Sequence, residues 1–257
     1  LEWIERACAS VSSFIHDQSG GQQTAEFTVF DWYPLEQSHA EWAGFGFNVR
    51  EMVNKQVESN RSVDLSGYQH FVYVIDDSVS RVGATVRNLS TTIIAAIDLD
   101  PAILAHELTH VFGADDTFLE TPTGPQVYDA LFCIMGREGA KHSFRDTALL
   151  SPLEGANAGH TDCGPGMCVP TLLATGWLKL AKHGVQITGV PGKTPGGAVS
   201  IRALDGAPVA EGGLPVCCYL DDGDRYMVEY RISTSRWDSG LPASPLGWIV
   251  VNRTPLD

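Results

Sequence analysis

Residues 26–33 (EFTVFDWY) read as a strand, with polar and apolar residues alternating over its first four positions. The period then changes. Trp42, Phe45, Val49, Met52, Val53 and Val57 recur at three- and four-residue intervals, which predicts a helix within residues 39–58, weakened at its start by Gly44 and Gly46. Residues 70–75 read as a second strand, 82–86 as a short one and 91–99 as a strongly apolar one. This β-α-β-β-β order leads into a helix with clear start and stop signals. Asp100 suits the N-cap and Pro101 the first helical position. Leu104, Leu108, Val111 and Phe112 form one apolar face, and Gly113 suits the left-handed residue that ends a helix.

Past Gly113 the periodicity fades. Residues 114–170 are rich in Gly, Pro and Thr, which predicts a loop-rich lobe, and residues 171–183 read as a short helix. From residue 185 onward, apolar stretches at 185–190, 198–204, 216–220, 226–232 and 247–252 alternate with turn residues. That spacing predicts a small β-sandwich-like or β-sheet domain, with a boundary near residue 184. The expected class is therefore α+β. A first domain over residues 1–184, with an upper subdomain 1–113 and a lower one 114–184, precedes a C-terminal β-rich domain over 185–257.

Composition narrows this picture. The 257 residues are 44% hydrophobic and 19% charged, which is ordinary globular usage. No apolar run approaches the length needed to cross a bilayer, so no membrane embedding is expected. A net charge of −14 argues against nucleic acid as a partner, because phosphate binding needs a cationic surface. Six cysteines (Cys8, Cys133, Cys163, Cys168, Cys217 and Cys218) include no C-x-x-C pair. Disulfides in an oxidising compartment are the simplest expectation, with the pairing open. Sequons at Asn60, Asn88 and Asn252 offer glycosylation sites and fit secretion. The start at Leu1 without Met reads as a processed chain that has lost a signal and a propeptide, as in a zymogen. Monomer is the default expectation.

The chemistry concentrates on the helix that follows Asp100. It carries His106-Glu107-Leu108-Thr109-His110. Residues four apart share a helix face, so the two imidazoles can address one zinc ion. Glu107 stands one residue on, able to reach a water beside the metal without ligating it, as a general base must. A catalytic zinc needs a third protein ligand and one open position. Gly113 allows a sharp turn, and Asp116 then returns toward the metal; Asp115 competes with it, less favourably by spacing. The other histidines, His16, His39, His70, His160 and His183, lack partners at ligand spacing. The acidic run Asp221-Asp222-Gly223-Asp224 offers oxygen ligands to calcium but lacks EF-hand spacing, and a solvated turn is the preferred reading.

The stretch H-E-x-x-H-x-x-G-x-x-D resembles the zinc-binding consensus of the metzincin metallopeptidases. Most of that family has His where this chain has Asp116, and an Asp there resembles the snapalysin variant. The family also carries a methionine turn beneath the metal, for which Cys133-Ile134-Met135-Gly136 supplies Met135 as the candidate. In the C-terminal half, residues 175–178 (TGWL), 228–231 (VEYR) and 237–242 (WDSGLP) look like segments of immune-inhibitor-A-like and gametolysin-like peptidases. One feature departs from the pattern. Some metzincins place a Tyr two residues after the turn methionine to stabilise the oxyanion, and here that place holds Arg137. Tyr128, Arg137 and His142 are candidates for the role.

The resemblance implies a metzincin-like zincin fold: a twisted sheet plus active-site helix above a loop-rich lower lobe. The expected protein is a secreted zinc metalloendopeptidase. His106, His110 and Asp116 hold one Zn²⁺, Glu107 acts as general base, and a protein or peptide substrate lies along an edge strand at residues 82–86. Two rival classes remain at this level. One is a secreted binding module for glycan or protein with a non-catalytic zinc site. The other is a zinc hydrolase acting on something other than peptides.

Overall fold

The computed structural model describes residues 1–36, 49–61, 63–75, 83–86, 90–96, 99–121, 124–127, 132–136, 164–179, 184–188, 200–204, 216–221, 224–234, 237–239, 241–242 and 244–255. They form a mixed helix-and-strand fold of the α+β kind. Helix α1 (Glu2–Gln18) opens the chain and buries Ala7, Val11, Phe14, Ile15 and Gln18, a stripe at helical spacing. Helix α2 (Val49–Arg61) follows. It is the C-terminal part of the helix expected within residues 39–58, whose first half lies outside the described residues.

Three strands make the first sheet: β1 (Phe71–Ile75), β2 (Gly83–Val86) and β3 (Thr91–Ala95). Their spatial order is β1-β3-β2, with β1 parallel and β2 antiparallel to β3. Every residue of the central β3 is buried, which accounts for its unbroken run of apolar and threonine side chains. Helix α3 (Pro101–Val111) crosses from β3 and packs against α1.

Two expectations for the N-terminal region need correction. Residues 26–33 form no regular element: Ala25, Phe27 and Val29 pack on the core, Phe30 and Trp32 are exposed, and the segment joins no sheet. An alternating pattern reports a chain with one buried side; it does not supply a hydrogen-bonded neighbour. Helix α1 was not anticipated, although its apolar spacing is regular.

Beyond α3, a two-stranded ribbon joins β4 (Phe118–Thr121) to β5 (Gly124–Val127). Helix α4 (Val169–Ala174) starts two residues before the expected helix and is much shorter, because Gly176 adopts a φ of +75° and ends the run. Strands β6 (Gly184–Thr188), β7 (Val216–Asp221), β8 (Asp224–Arg231) and β9 (Trp248–Pro255) form one sheet in that order. Of residues 198–204, expected as a strand, the described residues 200–204 contribute a single bridge, from Ala203 to Tyr230. Among the described residues there is one sheet here, without a second layer of strands to make a sandwich.

This sheet does not stand apart from the N-terminal elements. A single buried cluster includes Val11, Phe14 and Ile15 of α1, Leu104 and Leu108 of α3, Met135, and Cys218, Met227 and Trp237 from the C-terminal side. The Phe14 and Trp237 rings meet edge to face at 5.1 Å. The core thus runs across residue 184, where the boundary was placed. No helix among the described residues is long and apolar enough to cross a membrane.

Candidate metal centre

Helix α3 is fixed at its start by Asp100, whose carboxylate accepts hydrogen bonds from the Ala102 and Ile103 amides at 2.7 and 3.2 Å. Those amides have no partner within the helix, so the cap stabilises it by about 1 kcal/mol. Burial lifts the Asp100 carboxyl to about 6 against the pull of the two amides. Ala102, Leu104, Ala105 and Leu108 anchor the back of the helix in the core. His106 and His110 project from another side, with their ring centroids 4.9 Å apart.

The helix ends at Gly113, whose φ of +97° is a conformation that side-chain-bearing residues avoid. The reversal does two things at once. It aims the Ala114 carbonyl at His110 Nδ1, 2.9 Å away, and it returns Asp116 toward both rings. Asp116 Oδ1 stands 3.1 Å from His106 Nε2 and 3.4 Å from His110 Nε2. The turn after β5 completes the arrangement: the Ile134 carbonyl accepts from His106 Nδ1 at 2.9 Å, and Thr117 N donates to the Met135 carbonyl at 3.0 Å.

A carbonyl can only accept, so each Nδ1 carries a hydrogen and Nε2 is the ring nitrogen left to face a metal. Metal-bound histidines are held in the same way, by a partner that accepts from the other ring nitrogen. Zinc with bonds of about 2.0–2.2 Å holds tetrahedral ligand atoms roughly 3.3–3.5 Å apart, close to the two separations seen here. Two imidazole nitrogens and one carboxylate oxygen are donors that zinc accepts. The residues therefore fit a zinc ion, and among the described residues they form the one His/Cys/Asp/Glu group close enough to hold a metal. The donor set suits other divalent metals of the first row as well.

Electrostatics agree with the geometry. Burial works against a charged His106, but Asp116, the Ile134 carbonyl and Glu107 outweigh it and hold its pKa above the usual histidine value. The site thus favours positive charge, whether a proton or a cation. Glu107 is buried on the same helix, one residue beyond His106. Asp115 is exposed and is not among the three grouped residues, whereas Asp116 is. Met135 is fully buried within the turn of residues 133–136. Tyr128, Arg137 and His142 lie outside the described residues.

Other expected positions fall elsewhere. His70 bonds Thr92 Oγ1 at 2.8 Å, and burial, with Arg50 adding to it, depresses its pKa to about 4. His16 sits beside Asp17 on the surface, and His39, His160 and His183 lie outside the described residues. Asp221 and Asp224 face each other across the β7–β8 pairing, and Asp224 takes a hydrogen bond from Arg253. Asn60 lies on α2, Asn88 is outside the described residues, and Asn252 is in β9 with its Nδ2 buried. A glycan on Asn252 would require that part of β9 to open.

Sequence reasoning missed the support beneath the turn. Ile134 N donates to the Gly166 carbonyl at 3.4 Å. Gly166 N bonds Asp238, the Met167 carbonyl accepts from Arg231, and Val169 N bonds Glu229. Arg231 and Asp238 pair through two hydrogen bonds of 2.8 Å, fully buried. Charged residues inside β-strand patterns were the available signal, since burying them demands partners.

Compared with known proteins, this chain matches no protein-family model, no curated protein and no solved structure.

Proposed function

We propose that this protein is a zinc-dependent endopeptidase. The observation that carries the reading is the convergence of His106 Nε2, His110 Nε2 and Asp116 Oδ1, with Glu107 adjacent and both Nδ1 atoms satisfied by carbonyls. Three protein ligands leave a fourth position open, as catalytic zinc sites do and structural ones do not.

Zinc bound there acidifies a water and polarises the substrate carbonyl. The chain supplies the rest. His106 and His110 are oriented by their hydrogen bonds to the Ile134 and Ala114 carbonyls, so little ordering remains for them on binding metal. Glu107 accepts the proton that the attacking water loses, then returns it to the departing amine. Strand β2 lies at the edge of its sheet beside α3, and its outer backbone groups can pair with an extended peptide. Such pairing reads backbone and tolerates varied side chains.

The decisive experiment is digestion of unfolded casein with and without 1,10-phenanthroline, followed by zinc add-back. Cleavage that stops with chelator and returns with zinc is expected. Glu107→Gln is expected to keep zinc and to lose turnover by on the order of 10³-fold. A folded, zinc-loaded protein that cleaves neither casein nor a peptide library would overturn the proposal, as would full activity in Glu107→Gln.

A further inference from the structure

Two cysteines meet directly behind the metal centre. Cys133 begins the turn that carries Ile134 and Met135, and Cys168 immediately precedes α4. Both are thiols here, and both are buried, at 1% and 2% exposure. The Cys168 amide donates to Cys133 Sγ at 3.2 Å. Thr171 Oγ1 touches both sulfurs, at 3.3 Å from Cys133 and 3.2 Å from Cys168. With the Cys168 amide already against the Cys133 sulfur, the two residues are within a side-chain length of each other. A disulfide bond of about 2.0 Å is then a matter of side-chain rotation.

We propose that Cys133 and Cys168 form a disulfide when the chain folds under oxidising conditions, and that this bridge pins the turn that orients His106. The reaction is exchange with a small-molecule disulfide such as oxidised glutathione. One cysteine thiolate attacks a glutathione sulfur and releases a glutathione thiol, leaving a mixed disulfide. The second cysteine, as thiolate, then attacks the protein sulfur and releases a second glutathione. Two protons and two electrons leave the protein pair, and the glutathione disulfide is reduced. Because both sulfurs are shielded in the native state, exchange takes place before α4 docks. Once formed, the bridge is out of reach of soluble reductants.

Its position gives it a role. The residue after Cys133 presents the carbonyl that fixes the His106 ring, and the next supplies the carbonyl that receives Thr117 N, one residue past Asp116. A covalent tie at Cys133 therefore limits how far both ligands can drift when metal is absent. The bridge rests on the sulfur geometry alone; its consequence for the ligands rests on the zinc reading.

The test is peptide mapping of the full chain refolded in a glutathione redox buffer, with free thiols blocked by N-ethylmaleimide. Cyanogen bromide cuts after Met135 and Met167, and trypsin after Arg87 and Lys179, so Cys133, Cys163 and Cys168 fall on separate fragments. The expected product is residues 88–135 linked to residues 168–179. Alkylation of Cys133 or Cys168, or linkage of either to another cysteine, overturns the proposal. A bridge enclosing a loop of this length is expected to lower the melting temperature by roughly 10 °C when denatured protein is reduced and refolded without oxidant. A Cys133→Ser/Cys168→Ser variant is expected to show no such difference, and an equal drop in that variant would assign the effect to other cysteines.

Discussion

Asp115 and Asp116 are neighbours with the same chemistry, and only the second reaches the histidines. The difference is one step along a chain that has just been reversed by Gly113. Asp116→Ala is therefore expected to weaken zinc binding by on the order of 100-fold or more, whereas Asp115→Ala leaves it unchanged. Titration against a competing chelator checks both, and equal losses would mean that the ligand is misassigned. The same residues fix a pH dependence. Asp116 and its neighbours hold the His106 pKa above its usual value, so the metal-free site keeps a proton to higher pH than an isolated histidine would. That proton must leave before metal binds, so affinity falls as pH falls through the range where His106 protonates. Of this centre, His106, Glu107, His110 and Asp116 were legible in the sequence because helix periodicity and one glycine relate them locally. The Ile134 carbonyl was not, since backbone groups carry no residue-type signal and its approach depends on a contact 28 residues away.

Helix α3 and the turn beyond it carry the site as one local unit. Its cap, its proline and its stop were all readable, because each depends on groups within a few residues. The segment at 26–33 and helix α4 show where such reading ends. Alternation at 26–29 records a buried side, but a strand also needs a partner, and pairing is decided by distant chain. Helix α4 has an apolar continuation through residue 178, yet Gly176 at a positive φ stops it. Gly113 is the position where local conformation bears most directly on function. A Cβ there meets ordinary contact, 3.6 Å from the Ala174 carbonyl, so the obstacle is the φ of +97° rather than crowding. Gly113→Ala is expected to cost about 1–2 kcal/mol of stability and, by shifting both Ala114 and Asp116, to weaken zinc binding as well. Urea denaturation and chelator competition measure the two effects. A variant that loses stability but keeps zinc affinity would show that the turn does not set the ligand geometry.

Across the whole molecule, the buried charges of β8 and the chain after it link the C-terminal sheet to the metal centre. Arg231 makes two bonds to Asp238, and its Nη1 also stands 3.8 Å from Glu229 Oε1, so one guanidinium faces two buried carboxylates. Burial raises the Glu229 carboxyl to about 7, with Arg231 and the Val169 amide only partly opposing the shift. Its free value is 4.5, so between the two pH values the folded chain holds a proton that the unfolded chain has lost. Stability therefore falls as pH rises through that window, and the whole cost, on the order of 3 kcal/mol, is present above it. Glu229→Gln keeps an oxygen to accept from Val169 N and carries no charge at any pH. Relative to this variant, the natural protein is expected to lose stability from pH 4.5 to 7.5 and to match it most nearly at the acid end. Urea denaturation of the two proteins side by side tests this, because titrating groups remote from Glu229 contribute equally to both. Parallel curves would mean that Glu229 is already ionised at its free value and that Arg231 serves two carboxylates at once. A diverging pair would identify Glu229, bonded to Val169 N just behind the turn that steadies His106, as a group whose ionisation lowers stability at neutral pH.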